Sequence, residues 1–243
     1  MIPEKMRSLP SGGGSAFAFK EEQTTMKRKL ILLLSCVLAL CLALAGCGSH
    51  GGRPVVTLQF TDGSKIVMTL EPDNAPNTVA NFVDLVEQGY YDGMLLHRAM
   101  AGQFVQGGDP HLGQMALPTF VIEGEFTANN DANPMKHERG TVSMARVSDD
   151  YNSASTQFFI CASALGDLDG QYAAFGKVTD EASLEVVDKL CSLPTNESDI
   201  ITDMPQIEKA TVALNGYKKP DPERYPDYNN YLGGQAVESG EGK

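Results

Sequence analysis

The chain has 243 residues and a formal charge of −12, which argues against a nucleic-acid partner, since such a partner requires a basic face. Apolar residues make up 42% of it, an ordinary globular share that permits one or two domains with real cores. The acidic excess serves solubility.

Residues 1–25 match no targeting element and read as an upstream mis-start, with Met26 the initiator. Met26-Lys27-Arg28-Lys29 is basic, and the run from Leu30 to Ala45 is almost wholly apolar. It ends in Leu44-Ala45-Gly46-Cys47, so residues 26–46 read as a secretory signal. Leu-Ala-Gly before a cysteine resembles a bacterial lipobox, which implies a lipidated Cys47 at the mature N-terminus. An uncleaved transmembrane anchor is the rival reading, but a spanning helix needs ~20 apolar residues. The expected location is therefore the outer face of the cell membrane, held by lipid. The removed part carries six Lys or Arg and three Asp or Glu, so the mature chain stands three units more negative, at −15. Such a body is not held to an anionic membrane by its own surface, and acyl chains must do it.

Residues 47–54 are the lipidated Cys and tether. Val56, Leu58 and Phe60 alternate with polar residues, Asp62-Gly63 signals a hairpin, and Ile66, Met68 and Leu70 form the return strand. Pro76 suits a first helical position. Val79, Phe82, Val83 and Val86 then make one buried helical face, and Gly89 stops it. The stretch from His97 to Asp109 reads as a strand of alternating faces ending in a Gly-Gly-Asp turn, with Arg98, Met100, Phe104 and Gln106 on one face. A long loop spans Pro110 to about Pro134. Further strands are expected at Thr141–Ala145, Gln157–Cys161, Tyr172–Val178 and Ile207–Leu214, with a helix from Glu181 to Cys191 that turns Leu184, Val187 and Leu190 inward. The tail, 216–243, shows no period, and disorder is its default; the alternative is that its four tyrosines dock on the domain. Cys161 and Cys191 read as buried free thiols, with a disulfide the alternative in an oxidising compartment. His50, His97, His111 and His137 lack metal-ligand spacing, so no metal or other cofactor is expected.

Many short strands with two helices indicate an all-β sandwich or barrel. Five motifs in order narrow this: Ala75-Pro76-Asn77-Thr78-Val79-Ala80-Asn81-Phe82; His97 to Asp109; His137 to Arg146; Asn152 to Ile160; and Leu168-Asp169-Gly170-Gln171-Tyr172 with Phe175-Gly176-Lys177-Val178. The set resembles the cyclophilin family of peptidyl-prolyl cis-trans isomerases over about Val55 to Leu214. The resemblance implies a closed eight-stranded antiparallel barrel capped by two helices, spanning 55–215, and a monomeric enzyme acting on proline-containing polypeptides of secreted or envelope proteins.

Rotation about a peptide bond faces a barrier of ~18–20 kcal/mol, yet no bond is broken, so no nucleophile or metal is needed. The catalyst must bind the twisted amide better than the planar one. A permanent cation donating to the pyramidal prolyl nitrogen does this, and Arg98 matches the family's catalytic arginine. Gln106 matches the glutamine that steadies it. The resemblance implies a proline pocket of Phe104, Met144, Phe159 and Leu168, a peptide-pairing strand at Ala145 and Arg146, Tyr172 at the rim, and Gln157 beside them. Phe159 and Met144 equally suit the core of any barrel, and Gln157 equally suits backbone support. His97 has no Ser or Cys nucleophile beside it in a known pattern, which leaves a hydrolase unsupported. Gln103 stands where the family has a pocket Phe; either it makes the pocket partly polar, or Phe104 takes over and Gln103 faces solvent. Asp167 stands where the family often has Trp or His, so cyclosporin binding is not implied. A low-turnover binding module for proline-containing segments is the alternative function.

Overall fold

Alternation of buried and half-buried residues shapes the first hairpin. Val56, Leu58 and Phe60 on β1 (Val55–Phe60) and Ile66, Met68 and Leu70 on β2 (Lys65–Leu70) are all buried. The turn is closed by Gly63 at φ 84° and by the Asp62 carboxylate, which accepts from the Ser64 N–H at 2.9 Å. The computed structural model describes residues 51–113 and 116–227. The mis-start, the signal, Cys47 with the first part of the tether, and residues 228–243 lie outside the described residues.

Helix α1 (Pro76–Glu87) buries Val79, Phe82, Val83 and Val86. The Phe82 ring meets Tyr91, Phe158 and Phe175 at centroid distances of 4.9, 5.4 and 5.0 Å, the aromatic centre of the core. Its N-cap, Ala75, has no side chain able to cap. The buried carboxylate of Glu125 does so instead, accepting from the N–H groups of Asn77 at 2.9 Å and Thr78 at 2.6 Å. Burial pushes this carboxyl up, and the hydrogen bonds from the helix oppose that. Helix α2 (Glu181–Cys191) is capped locally, by Asp180 accepting from the Ser183 N–H at 2.9 Å.

The remaining strands are β3 (Leu96–Met100), β4 (Phe104–Gly107), β5 (Phe120–Val121), β6 (Thr141–Met144), β7 (Phe158–Cys161), β8 (Ala174–Lys177), β9 (Ile207–Ala213) and β10 (Tyr225–Pro226). Eight of them form one curled antiparallel sheet in the order β3-β4-β7-β6-β8-β2-β1-β9. The core fills its concave side; α1 packs on β9, and α2 on β2, β3 and β4. The outer strands β3 and β9 share no ladder, which differs from a barrel closed by continuous pairing. The stretch 93–99 is instead linked to 199–207 by single main-chain bonds, among them Leu96 N–H to Pro205 O at 2.9 Å and Ile201 N–H to His97 O at 2.9 Å.

Two further expectations change. His97 to Asp109 is a hairpin, not one strand, because Ala101-Gly102-Gln103 turns the chain, with Gly102 at φ 71°. The shared face survives, since the register sets Arg98 opposite Gln106 and Met100 opposite Phe104. Residues 216–227 are docked, not disordered. Tyr217 is buried, Glu223 and Asn77 exchange two hydrogen bonds, and β10 pairs with β5. Lys219 reaches Asp84 at 2.5 Å and Glu87 at 3.1 Å; Arg224 reaches Asp84 at 2.9 Å and lies 4.2 Å over the Phe120 ring. The absence of a period hid this because the partners lie on α1 and β5, far back in the chain.

Burial raises the Asp84 carboxyl, and the two cations more than offset it, leaving it below the usual carboxylate range. The double variant Lys219→Ala/Arg224→Ala is expected to lose about 1 kcal/mol at low salt, a modest value for a partly shielded network. The loss should shrink at high salt, where such pairs are screened. Thermal melts at two salt concentrations check this; equal losses at both would assign the effect to packing.

Candidate active site

Cross-strand register places the functional side chains. Partners directly opposite in an antiparallel sheet share a face. Arg98 faces Gln106, Gln106 faces Phe159, and Phe159 faces Ser143. These four, with Met100, Phe104 and Cys161, lie on the side away from the core. Ala99, Val105, Ile160 and Val142 alternate onto the core side.

The Arg98 guanidinium is half-buried and held from several directions. It donates to Gln106 Oε1 at 3.5 Å, to Met100 Sδ at 3.4 Å and to Asp199 Oδ2 at 3.2 Å. It lies 5.2 Å over the Phe104 ring. Gln106 is oriented in turn by donating from Nε2 to Gln157 Oε1 at 2.8 Å. Phe104 meets Phe159 at 5.4 Å, and Tyr172 stands edge-on to Phe159 at 5.8 Å. A permanent cation thus borders a wall of aromatic rings. Next to it lies a pocket of about 120 Å³ between Gln106, Ala145, Ser155 and Gln157.

Beneath Phe159 sits His137, its ring stacked at 5.9 Å and 14°. Its Nδ1 lies 3.2 Å from Asp169 Oδ1 and its Nε2 lies 3.0 Å from Ser143 Oγ. A carboxylate only accepts, so Nδ1 carries the proton and Nε2 accepts from the hydroxyl. Burial pushes His137 below the ordinary histidine value, with Asp169 opposing. Burial does the same to His97, with Asp109 opposing and Arg98 adding to the depression. For a lowered histidine the folded state binds fewer protons than the unfolded one. Its contribution is complete above about pH 6.5 and is lost as pH falls through the depressed folded-state value. Stability is therefore expected to decline from pH 7.5 to 5.5, and His137→Gln should flatten that slope. Denaturant titrations across this range check it; an unchanged slope would remove His137 from the linkage.

Several sequence-derived assignments move. Met144 is paired with Phe158, is 1% exposed and belongs to the core cluster, so its side chain is not in the pocket. The parity of β6 decides this: Ser143, not Met144, is on the Phe159 face. Gln103 is an exposed turn residue, and Phe104 holds the wall. The Arg146 side chain is committed to bracing its own loop. It donates to Val147 O at 2.9 Å, Ser148 O at 2.7 Å and Gln171 O at 3.1 Å, and lies over Tyr172 at 4.5 Å and Tyr151 at 4.8 Å. Ala145 follows the end of β6 and donates its N–H to Gln157 O at 2.9 Å. Leu168 is half-buried on the turn Gly166–Leu168, next to the Asp169 that holds His137, and Asp167 is exposed there. Cys161 and Cys191 are free and buried, and burial pushes the Cys161 thiol up to about 12, which makes it a poor nucleophile. Among the described residues no group of three or more His, Cys, Asp or Glu is placed to hold a metal. Asp199 was not singled out from sequence; its Asn196-Glu197-Ser198-Asp199 turn was the only local signal.

The family model described as "Cyclophilin type peptidyl-prolyl cis-trans isomerase/CLD" matches residues 55–212. A peptidyl-prolyl cis-trans isomerase of Helicobacter pylori strain J99 is 39% identical over 130 residues, covering 54% of this chain and 76% of the relative. Peptidyl-prolyl cis-trans isomerase B of Bacillus subtilis is 42% identical over 118 residues, covering 49% and 78%. Among solved structures, a Cryptosporidium parvum cyclophilin-type isomerase determined in the presence of the dipeptide Ala-Pro aligns with a TM-score of 0.56 and 27% identity, over 65% of this chain and 98% of that one. The matched span begins with β1 and ends in β9, and so contains the whole Arg98–Phe159 face. With that face, this sheet order and these relatives, the chain belongs to the cyclophilin-type peptidyl-prolyl cis-trans isomerase family.

Proposed function

We propose that the chain catalyses prolyl isomerisation through Arg98 and that it acts, tethered by lipid on Cys47, on secreted or envelope proteins outside the membrane. The observation that carries the first part is the half-buried guanidinium standing over Phe104, with Gln106 held beside it by Gln157. When the X-Pro amide twists, its nitrogen loses conjugation and becomes a hydrogen-bond acceptor. Arg98 donates to that lone pair. Phe104, Phe159 and Tyr172 hold the proline ring while the preceding carbonyl swings. Gln106 fixes the arginine and bonds the peptide, and the backbone at Ala145 and Arg146 aligns it. The family's pattern also assigns Leu168, on the turn before Asp169, to this pocket. Nothing ionises and no group is transferred, so the chain's own residues suffice.

Support for the location comes from the basic, apolar and Leu-Ala-Gly-Cys segments at residues 26–47. Among the described residues no helix is long and apolar enough to cross a membrane. A protease-free isomerisation assay on proline peptides with the fragment from Ser49 onward tests the activity. Binding without acceleration would favour the low-turnover binding module. Metabolic labelling with radioactive lipid tests the anchor: label on the native chain and none on Cys47→Ser is the expected result, and label retained on the serine variant would overturn it.

A further inference from the structure

We infer that Asp199 is a positioning residue for Arg98, supplied by a turn that the fold braces for that purpose. The inference rests on the reading of Arg98 as the catalytic cation. Asp199 Oδ2 lies 3.2 Å from the guanidinium, and the two side chains are 39% and 35% exposed, at the mouth of the site. An exposed ion pair between two flexible chains is usually worth little, because holding both costs entropy. Here that cost is largely met by the backbone. The Asp199 carbonyl accepts from the Ala99 N–H at 2.9 Å, the residue next to Arg98, and its own N–H donates to Asn196 O at 3.1 Å. Arg98 and Ile200 form a β-bridge, and Ile201 N–H donates to His97 O at 2.9 Å. The Asn196 side chain accepts from the N–H groups of Ser198 and Ile200, at 2.9 and 3.0 Å.

The turn therefore cannot slide along β3. Asp199 itself adopts φ 62°, a left-handed conformation that non-glycine residues enter at a cost and that Asp and Asn tolerate best. For the turn alone glycine or asparagine would serve equally, as Asn130 and Asn215 do at φ 63° and 49°. An aspartate there places a carboxylate against the guanidinium that lies over Phe104. With Met100 Sδ it occupies Nη2, while Gln106 takes Nη1. Nε has no partner among the described residues, so the fork is pinned by its far edge with a donor left over for substrate. Arginine's planar fork makes such pinning directional.

The test is a kinetic cycle on the full chain with one proline peptide: wild type, Asp199→Ala, Asp199→Asn, Arg98→Ala, and Asp199→Ala in the Arg98→Ala background. Asp199→Ala is expected to lower kcat about three- to tenfold with KM little changed, and to lower the melting temperature modestly because alanine enters the left-handed region at a cost. Asp199→Asn should recover most of the rate, since it keeps the oxygen and the left-handed backbone. In the Arg98→Ala background the Asp199 substitution should have no further effect, the signature of a residue acting through its partner. An unchanged or raised kcat in Asp199→Ala, or an equal loss with and without Arg98, overturns the inference. If instead Arg98→Ala is fully active, the catalytic reading of Arg98 fails and not merely the role of Asp199.

Discussion

Arg98→Ala is expected to lower kcat/KM by about 10- to 100-fold while the fold stays intact. A charge-assisted hydrogen bond contributes ~1.5–3 kcal/mol, and each ~1.4 kcal/mol is a factor of ten in rate. That bond forms only as the amide twists, so its whole value falls on the transition state and kcat should drop more than KM rises. Stability should change little. The guanidinium is half-buried, and the carboxylate it leaves behind, Asp199, retains access to water. Arg98→Lys should lose most of the rate as well. An ammonium cannot lie flat over Phe104 and donate at the same time to Gln106, Asp199 and the substrate. Isomerisation kinetics with a proline peptide, together with thermal melts, decide the matter: full turnover in both variants would remove Arg98 from the mechanism.

Phe104→Ala should weaken binding of a proline peptide by about tenfold, whereas Gln103→Phe should leave it within about twofold. Phe104 supplies one side of an aromatic pair with Phe159 at 5.4 Å and the surface on which Arg98 rests. The ring is read as one wall of the proline pocket, and losing ~1.4 kcal/mol of its apolar contact with a proline ring, part of the ~1.5–3 kcal/mol that full burial of a Phe side chain contributes, is a tenfold effect on affinity. Gln103 is the last residue of the exposed turn, and its main chain is fully used: its N–H donates to Met100 O at 2.8 Å and its carbonyl accepts from Ala162 N–H at 2.7 Å. A larger side chain there meets solvent. Peptide titration of both variants checks the pair. A large gain from Gln103→Phe beside a neutral Phe104→Ala would mean that the turn, not the strand, bounds the pocket.

Features whose causes are local were legible in the residues. Asp62-Gly63 made the first hairpin, and the spacing of Val79, Phe82, Val83 and Val86 made α1 with its buried face. Glu181–Cys191 is helical as expected, because Asp180 caps it three residues from the bonded N–H. Arg98 and Gln106 share a face for an equally local reason: a three-residue turn sets them opposite each other in one hairpin. The choice between Gln103 and Phe104 stayed open in sequence because adjacent residues at a turn can exchange faces if a bulge intervenes.

Other features depend on partners distant in the chain, and only the tertiary structure decided them. Strand pairing put Met144 against Phe158 in the core and left Ser143 beside Phe159; residue type alone suited either place. The cap of α1 comes from Glu125, 48 residues beyond the N–H it meets. The strap at 216–227 finds its charges on Asp84 and Glu87, and Arg98 finds Asp199 across 101 residues. Local sequence determines which segments can be strand, helix or turn, because φ/ψ preference and periodicity act over a few residues. It does not determine which distant polar groups meet, because that follows from how the sheet curls and brings its far strands and loops together.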